Sequence, residues 1–220
     1  MTLTVLFDLD GTLVDSEQVA VEAFRAAFSE CVGPGRAPTD ELLAMAGLPF
    51  ERIVETLGLP PTMAPSFRRH SVSRVHTVRP FPGVTAMLAA LSRQGVGLGI
   101  ITGKDRGRAE QVIALTGLGA FCSELVTPSD PPAPKPAPDG VHHLIGRLRG
   151  TTRDTVLVGD SMNDIRAGQN AGVYTVACTW GAGRTDVLRT AGPDALVESV
   201  AELETVLTTR LGARMNGLVR

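Results

Sequence analysis

Cysteine is scarce in this chain, and the few cysteines stand far apart. They are Cys31, Cys122 and Cys178 among 220 residues. An odd number of widely separated cysteines does not suit a disulfide framework, and their spacing is not that of zinc ligands. We therefore expect a reducing, cytoplasmic setting in which these residues are small buried or surface thiols.

Basic clusters and long apolar runs are also missing. The formal net charge is −2 at pH 7, and no segment combines basic and aromatic side chains as nucleic-acid-binding surfaces do. No apolar run approaches the roughly 20 residues of a membrane helix, and the amino terminus has no basic region followed by an apolar stretch. These absences argue against nucleic-acid and membrane partners, while a monomer and a homodimer stay equally open.

Lysine is nearly absent as well. Only Lys104 and Lys135 are lysines among the 21 basic side chains, and the others are arginine. Lysine carries a compact ammonium group, whereas arginine carries a planar fork of donors, so a site that needs a point charge can require lysine. We treat both lysines as candidate site residues, with two leftover surface charges as the alternative.

Apolar runs bounded by turn residues alternate with helix-period segments through most of the chain. The strand-like runs are Thr4–Leu9, Val96–Thr102, Glu124–Thr127, Thr155–Gly159 and Val173–Ala177. Apolar residues at helical spacing follow at Gly83–Gln94 and Glu110–Thr116. This alternation predicts an α/β fold, with a mostly parallel sheet that is covered on both faces.

Residues 16–80 break the alternation. They contain helical patterns but no convincing strand, and the patterns are Ser16–Cys31, Asp40–Ala46, Phe50–Leu57 and Pro65–Val78. Asp15 or Ser16 is placed to cap the first of these helices. Four helices between neighbouring parallel strands exceed an ordinary connection. We therefore predict an inserted helical lid, with extra core helices as the alternative.

The first apolar run ends in two carboxylates and a glycine, namely Asp8, Asp10 and Gly11. Residues two apart on an extended chain point to the same side, so the two carboxylates are neighbours. Neighbouring carboxylates repel each other and need a cation, a shared proton or both. Gly11 allows a sharp turn at the carboxyl end of the strand, where open α/β sheets place ligands. The motif therefore suits divalent-metal chemistry with one carboxylate left as a nucleophile.

Three further segments present polar groups. They are Thr102-Gly103-Lys104 beside an expected helix start, Lys135 within the proline-rich loop Pro128–Pro138, and Gly159-Asp160 followed by Asp164. If the segments converge, Asp8, Asp10 and Asp160 form an acidic pocket for an oxygen-preferring ion such as Mg²⁺. Thr102, Lys135 and backbone amides would then hold phosphate oxygens.

Together these motifs resemble the four motifs of the haloacid dehalogenase superfamily. The matching segments are Asp8-Leu9-Asp10-Gly11-Thr12, Thr102, Lys135 in a Lys-Pro-x-Pro context, and Gly159-Asp160-x-x-x-Asp164, in the superfamily's order. The helical insertion after the first motif is similar to that of the phosphoglycolate-phosphatase-like branch. The resemblance implies a Rossmann-like doubly wound catalytic core at residues 1–15 and 81–220, with an inserted all-helical (C1-type) cap domain at residues 16–80.

The resemblance also implies roles for the acidic residues. Asp8 would be the nucleophile that forms an aspartyl phosphate, and Asp10 would protonate the leaving alkoxide and then deprotonate water. Mg²⁺ would be bound by Asp8, the main-chain carbonyl of Asp10 and Asp160. Asp164 would support the metal site or position Lys135, with capping of the following helix as its alternative.

Thr102, Gly103 and Lys135 would bind phosphate under the same resemblance. Gly103 departs from the family pattern, since many relatives carry asparagine there, and glycine permits a closer backbone approach. Lys104 occupies a position after the second motif that is often basic in the superfamily. In the cap, Arg52 is a candidate for substrate specificity because it could bind a carboxylate or hydroxyl, with a solvated charge at a helix start as the alternative.

The implied function is Mg²⁺-dependent hydrolysis of a small-molecule phosphate monoester, such as phosphoglycolate, a sugar phosphate or a biosynthetic intermediate. Asp10 argues against dehalogenation, which has no alkoxide to protonate. Residues 16–80 contain no lysine, which argues against a Schiff-base phosphonate hydrolase. A sugar phosphomutase of the same fold and a non-catalytic binding or regulatory protein stay open as alternatives.

Overall fold

A six-stranded parallel sheet forms the centre of the computed structural model, which describes residues 3–130 and 133–217. The strands of this sheet are β1 (Thr4–Phe7), β4 (Gly97–Ile101), β5 (Glu124–Val126), β6 (Thr155–Gly159), β7 (Tyr174–Cys178) and β8 (Ala195–Val197). Two further strands, β2 (Val14–Asp15) and β3 (Arg79–Pro80), form a separate antiparallel pair. The large sheet has the order β5-β4-β1-β6-β7-β8. The α/β class with a Rossmann-like parallel sheet is therefore confirmed.

Strand β1 lies in the middle of the sheet, between β4 and β6. Thr4 is in register with Gly97 on one side and with Thr155 on the other. All four residues of β1 are buried, as expected for a continuous apolar strand covered on both faces. Because the three central strands run in the same direction, the residues that follow them meet at one edge of the sheet.

Ten α-helices surround and extend this sheet within the described residues. They are α1 (Glu17–Cys31), α2 (Thr39–Ala44), α3 (Phe50–Thr56), α4 (Met63–Arg74), α5 (Val84–Arg93), α6 (Arg106–Thr116), α7 (Asp139–Arg147), α8 (Met162–Ala171), α9 (Thr185–Thr190) and α10 (Val200–Gly217). Val5 and Phe7 of β1 pack in one apolar cluster with α5 and α6. Leu6 packs in another cluster with α7 and α8, because alternate strand residues face opposite sides.

Helices α1–α4 have an apolar cluster of their own, separate from the clusters on the sheet. Its centre contains Phe50 stacked on Phe67, with ring centroids 3.8 Å apart, and Phe24 edge-on to Phe50 at 6.2 Å. The helical patterns expected between residues 16 and 80 are thus present as helices. The last of them begins at Met63 and ends at Arg74, followed by a short 3₁₀ turn at Val75–Thr77.

The expectation of no strand in residues 16–80 was wrong in one place. Strand β3 pairs with β2, so that Val14 lies opposite Pro80 and Asp15 opposite Arg79. The two connections that enter and leave the helical segment therefore run side by side. Two-residue strands, one of which ends in proline, are too short to produce an alternating pattern.

Two other points concern the sequence expectations. Residues 131–132 of the proline-rich loop Pro128–Pro138 lie outside the described residues. Within the described residues, no helix combines the length and the apolar character needed to span a bilayer.

Candidate active site

The polar residues that follow the central strands meet at one edge of the sheet. Asp8 follows β1, Thr102 follows β4 and Asp160 follows β6, and all three side chains are buried. This edge is where the strand order reverses around β1, the usual ligand position in open α/β sheets. The structure therefore brings together three of the motifs that are far apart in sequence.

Lys135 reaches the same place from the loop after β5. Its Nζ donates hydrogen bonds to Oδ1 of Asp8 at 2.7 Å, to Oδ1 of Asp164 at 2.5 Å and to the main-chain oxygen of Ile101 at 3.1 Å. Burial alone would lower the pKa of Lys135, but the adjacent carboxylates of Asp164 and Asp8 raise it, so the side chain is a buried ammonium ion.

A third carboxylate, that of Asp160, lies beside the two that contact this ammonium ion. One oxygen from each of Asp8, Asp160 and Asp164 lies within 4.8 Å of the others. Burial raises the pKa of Asp8 well above its usual value, against the opposing effect of Lys135. Burial, followed by repulsion from Asp164, raises the pKa of Asp160 to about 7. Within the described part of the chain, three carboxyl groups thus lie with one lysine in this cluster, and their hard oxygen donors fit a divalent ion such as Mg²⁺.

The backbone at Gly11 passes very close to the side chain of Asp160. A Cβ on Gly11, which has a φ of +78°, would lie 2.2 Å from Oδ2 of Asp160. Thr12 Oγ1 donates to Oδ1 of Asp160 at 3.2 Å, and the amide of Ala182 donates to Oδ2 at 3.0 Å. Glycine is thus required at position 11, because the backbone is left-handed there and the neighbouring carboxylate leaves no room for a Cβ.

Asp10 does not join this carboxylate cluster. Its Oδ1 accepts a hydrogen bond from Ser16 Oγ at 2.5 Å and pairs with Lys104 Nζ at 2.8 Å. Burial alone would raise its pKa, but Lys104, Ser16 and Arg108 together lower it, so Asp10 is an ionised carboxylate. Ser16 occupies the N-cap position of α1 without a side-chain cap bond, which corrects the expected capping: its hydroxyl serves Asp10 instead.

The two carboxylate oxygens of Asp164 have different hydrogen-bond partners. Oδ2 accepts the amide of Ser161 at 3.0 Å, while Ser161 Oγ accepts the amide of Asp164 at 3.3 Å, and these two bonds form a capping box at the start of α8. The Ser161 hydroxyl also donates to Oδ2 at 2.6 Å. Oδ1 accepts the hydrogen bond from Lys135. Helix capping and contact with Lys135 are therefore both present in the geometry, while support of a metal site stays a prediction.

Residues 46–48, which we call the cap loop, close over Gly103 and the start of α8. A Cβ on Gly103 would lie 2.5 Å from the main-chain oxygen of Gly47, and a Cβ on Gly47 would lie 2.5 Å from Ser161 Oγ. Asn163 Nδ2 also donates to the main-chain oxygen of Ala46 at 3.2 Å. Glycine at position 103 thus leaves room for the backbone of the cap loop.

A cavity that is open to solvent lies between helices α1–α4 and this edge of the sheet. Its polar floor includes Asp8, Asp10, Thr102, Lys104 and Asp160. Its apolar wall comes from the helices and includes Ala20, Leu42, Phe50, Ile53 and Phe67. A concave site in which a few polar groups face an apolar wall is typical of small-molecule binding.

Comparison with known proteins now places the chain in a family. The family model described as haloacid dehalogenase-like hydrolase matches residues 5–178. The chain belongs to the haloacid dehalogenase-like hydrolase family. The resemblance that was drawn from the four motifs is thereby confirmed.

This haloacid dehalogenase-like hydrolase has similar relatives over nearly its whole length. It is 33% identical over 210 residues to the pyrophosphatase PpaX of Oceanobacillus iheyensis, a match that covers 93% of this chain and 96% of the relative. It is 35% identical over 216 residues to the plasmid phosphoglycolate phosphatase of Cupriavidus necator, which covers 93% of this chain and 92% of the relative.

A solved structure shows the same fold. The crystal structure of a hydrolase from Pseudomonas syringae superposes with a TM-score of 0.85 at 20% identity, and the match covers 95% of this chain and 99% of the other. Likeness at that identity concerns the fold alone.

Two arginines of this hydrolase lie in places that the motifs did not indicate. Arg52, expected near the substrate, is exposed, pairs with Glu55 at 2.8 Å and is not among the cavity-lining residues. That placement matches the alternative of a solvated charge at a helix start. Arg108 does line the cavity, and no sequence signal separated it from the other arginines.

Proposed function

We propose that this hydrolase is a cytoplasmic, Mg²⁺-dependent phosphatase that hydrolyses a small-molecule phosphate monoester through an aspartyl phosphate on Asp8. Phosphoglycolate, a sugar phosphate and a biosynthetic intermediate are the candidate substrates. The observation that carries the proposal is Lys135, whose ammonium group binds both Asp8 and Asp164 beside Asp160. The phosphatase and pyrophosphatase names of the relatives support the same reaction class.

We assign the metal to the carboxylate cluster. Asp8 and Asp160 would hold Mg²⁺ with side-chain oxygens, Asp10 would contribute its main-chain carbonyl, and Asp164 would support the site. The side chain of Asp10 is engaged by Lys104 and Ser16, which supports a main-chain rather than a side-chain contact. When bound, the cation would offset the repulsion between the nucleophile and the anionic phosphoryl group.

The first half of the reaction uses Asp8 as the nucleophile. Lys135 holds Oδ1 of Asp8, and Oδ2 would attack phosphorus while the bond from phosphorus to the alcohol oxygen breaks. Thr102, the backbone at Gly103 and Lys135 would hold the phosphoryl oxygens. Asp10, which is ionised in the free protein, would take up a proton as the phosphate monoester binds and give it to the departing alcohol oxygen.

The second half regenerates Asp8. Water attacks phosphorus, the bond between phosphorus and Asp8 breaks, and inorganic phosphate leaves. Asp10 takes the proton of the attacking water, a task that suits the ionised carboxylate held by Lys104 and Ser16.

We also propose that residues 16–80 act as a cap on a catalytic core made of residues 1–15 and 81–220. The separate apolar cluster of α1–α4, the paired connections β2 and β3, and the cap loop over Gly103 support this division. Closure of such a cap excludes water and completes the substrate cavity.

Release of inorganic phosphate from a panel of phosphate monoesters tests the proposed reaction. We expect turnover by the wild-type protein with Mg²⁺, loss of turnover in EDTA with recovery on excess Mg²⁺, and no detectable turnover by Asp8→Asn. Asp15→Asn, at an exposed acid close in sequence, is the matched control and should retain activity. Turnover that needs neither metal nor Asp8 would contradict the mechanism, and isomerisation without phosphate release would identify a mutase.

A further inference from the structure

Arg108 places a buried guanidinium group at the wall of the catalytic cavity. It lies in the first turn of α6, and its side chain is 10% exposed. It lines the same cavity as Asp8, Asp10 and the apolar residues of α3 and α4. A buried arginine that faces a ligand cavity needs either full internal pairing or a ligand that completes its pairing.

The protein fixes this side chain on two sides. Nε donates to Oδ2 of Asp105 at 2.6 Å, and the guanidinium carbon lies 5.0 Å from the ring centroid of Phe67. Both contacts restrict the orientation of the planar group, so little side-chain freedom is lost when a ligand binds.

The rest of the guanidinium group is poorly satisfied. Nη1 has one long hydrogen bond, to Ser71 Oγ at 3.4 Å, and Nη2 has no partner within residues 3–130 and 133–217. Asp105 is moreover shared, since Arg68 Nε lies 3.5 Å from the same Oδ2. Arg108 therefore keeps hydrogen-bond donors for an oxyanion in the cavity, while its charge also favours the ionised form of Asp10.

We propose that Arg108 is a specificity-determining residue that binds a second oxyanion of the substrate. The preferred substrate would then be a phosphate ester whose short alcohol carries a carboxylate or a second phosphoryl group, with its hydrocarbon part against the apolar wall. The inference rests on the proposed function, because that function places the scissile phosphoryl group at Asp8 and leaves Arg108 for the other end of the ligand.

Three substrates that differ at one end test the assignment. Phosphoglycolate carries a carboxylate, ethylene glycol bisphosphate carries a second phosphoryl group, and 2-hydroxyethyl phosphate carries neither. Arg108→Gln should lower kcat/KM for one or both of the first two by about tenfold to a hundredfold, mainly through KM, because a charge-assisted hydrogen bond is lost. The change on 2-hydroxyethyl phosphate should be the smallest, and Arg108→Lys should fall between the wild type and Arg108→Gln.

Arg106→Gln is the matched control on the same helix. Arg106 pairs with Asp130 and Glu110 and is not among the residues that line the cavity. This variant should keep the wild-type ratio of activities on all three substrates. An equal loss on all three substrates by Arg108→Gln and Arg108→Lys would overturn the proposal, because Arg108 would then act on every substrate alike, through its contacts with α4 or its charge near Asp10. No loss on any of them would overturn it too.

A binding measurement separates this inference from the proposed function. Calorimetric titration of phosphoglycolate and the bisphosphate into Asp8→Asn with Mg²⁺ should show weaker binding after Arg108→Gln is added. Equal affinity of the single and double variants for both ligands would overturn the role of Arg108 even if the wild type is an active phosphatase. Absence of hydrolysis of any ester by the wild type would instead overturn the proposed function, while the titration still decides on Arg108.

Discussion

At the scale of single residues, the carboxylates of the candidate site are paired with two lysines. Lys135 is in contact with Asp8 and Asp164, and Lys104 is in contact with Asp10. Both lysines of the chain thus lie in the site, where a compact ammonium group on a flexible stem fits between closely spaced oxygens. Asp8 and Asp10 are only two residues apart in the first motif, yet each is paired with a different lysine.

Replacing Lys135 tests how far the fold depends on this charge balance. Lys135→Met leaves Asp8 and Asp164 buried without their cation, so we expect the free energy of unfolding to fall by about 3–5 kcal/mol. The double variant Lys135→Met/Asp164→Asn should recover part of this loss, because it removes one of the uncompensated charges. Urea denaturation in EDTA measures both, and equal stability of all three proteins would contradict the pairing.

Among the site residues, those that directly follow a strand were the easiest to predict from the sequence. Asp8, Thr102 and Asp160 could be expected to meet, because the carboxyl ends of neighbouring parallel strands share one sheet edge. Arg108 could not be found in this way. It reaches the cavity from a helix through packing against Phe67, and a helical arginine has no local pattern that reveals such a contact.

At the scale of elements, α1 and α4 are held together by a polar contact as well as by their apolar faces. Glu30 of α1 accepts hydrogen bonds from Ser66 and Arg69 of α4 and contacts His70. These contacts, with Ser66 first, lower the pKa of Glu30 to about 2 from its usual 4.5. An acid whose pKa is lower in the folded state stabilises that state when ionised.

The pH dependence of this contact has a definite sign. The stabilisation by Glu30 is complete above about pH 4.5 and declines as the pH falls toward about 2. Glu30→Gln should therefore be less stable than the wild type at pH 5, and the difference should shrink at pH 3. Urea midpoints at the two pH values measure this, with Glu17→Gln at the exposed start of α1 as the control. A difference that grows toward pH 3 would contradict the contact.

At the scale of the whole molecule, the fold separates the three thiols by exposure. Cys122 and Cys178 are buried, whereas Cys31 is partly exposed at the end of α1. Burial raises the pKa of Cys122 to about 12, and burial followed by repulsion from Asp160 raises that of Cys178 well above its usual value. A thiol that stays protonated and covered is a poor nucleophile.

Thiol labelling of the native protein measures this separation. At pH 8 a disulfide reagent such as Ellman's reagent should react quickly with one thiol, which Cys31→Ser should abolish, and with all three in concentrated urea. Rapid reaction of a second thiol under native conditions would show that the sheet core around Cys122 or Cys178 opens far more readily than its burial indicates.

By itself, the sequence determined the alternation of strands and helices, the parallel sheet and the set of motif residues at its edge. The strands and helices follow from periodicity along the chain, and the motif residues follow from their order and from the resemblance to the superfamily, all of which can be read from the sequence without knowing which helices pack together. Only the tertiary structure decided that the side chain of Asp10 turns to Lys104 and Ser16, that β2 and β3 pair, and that Arg108 rather than Arg52 lines the cavity. Those outcomes depend on how helices pack across distant parts of the chain, and no local pattern specifies that packing.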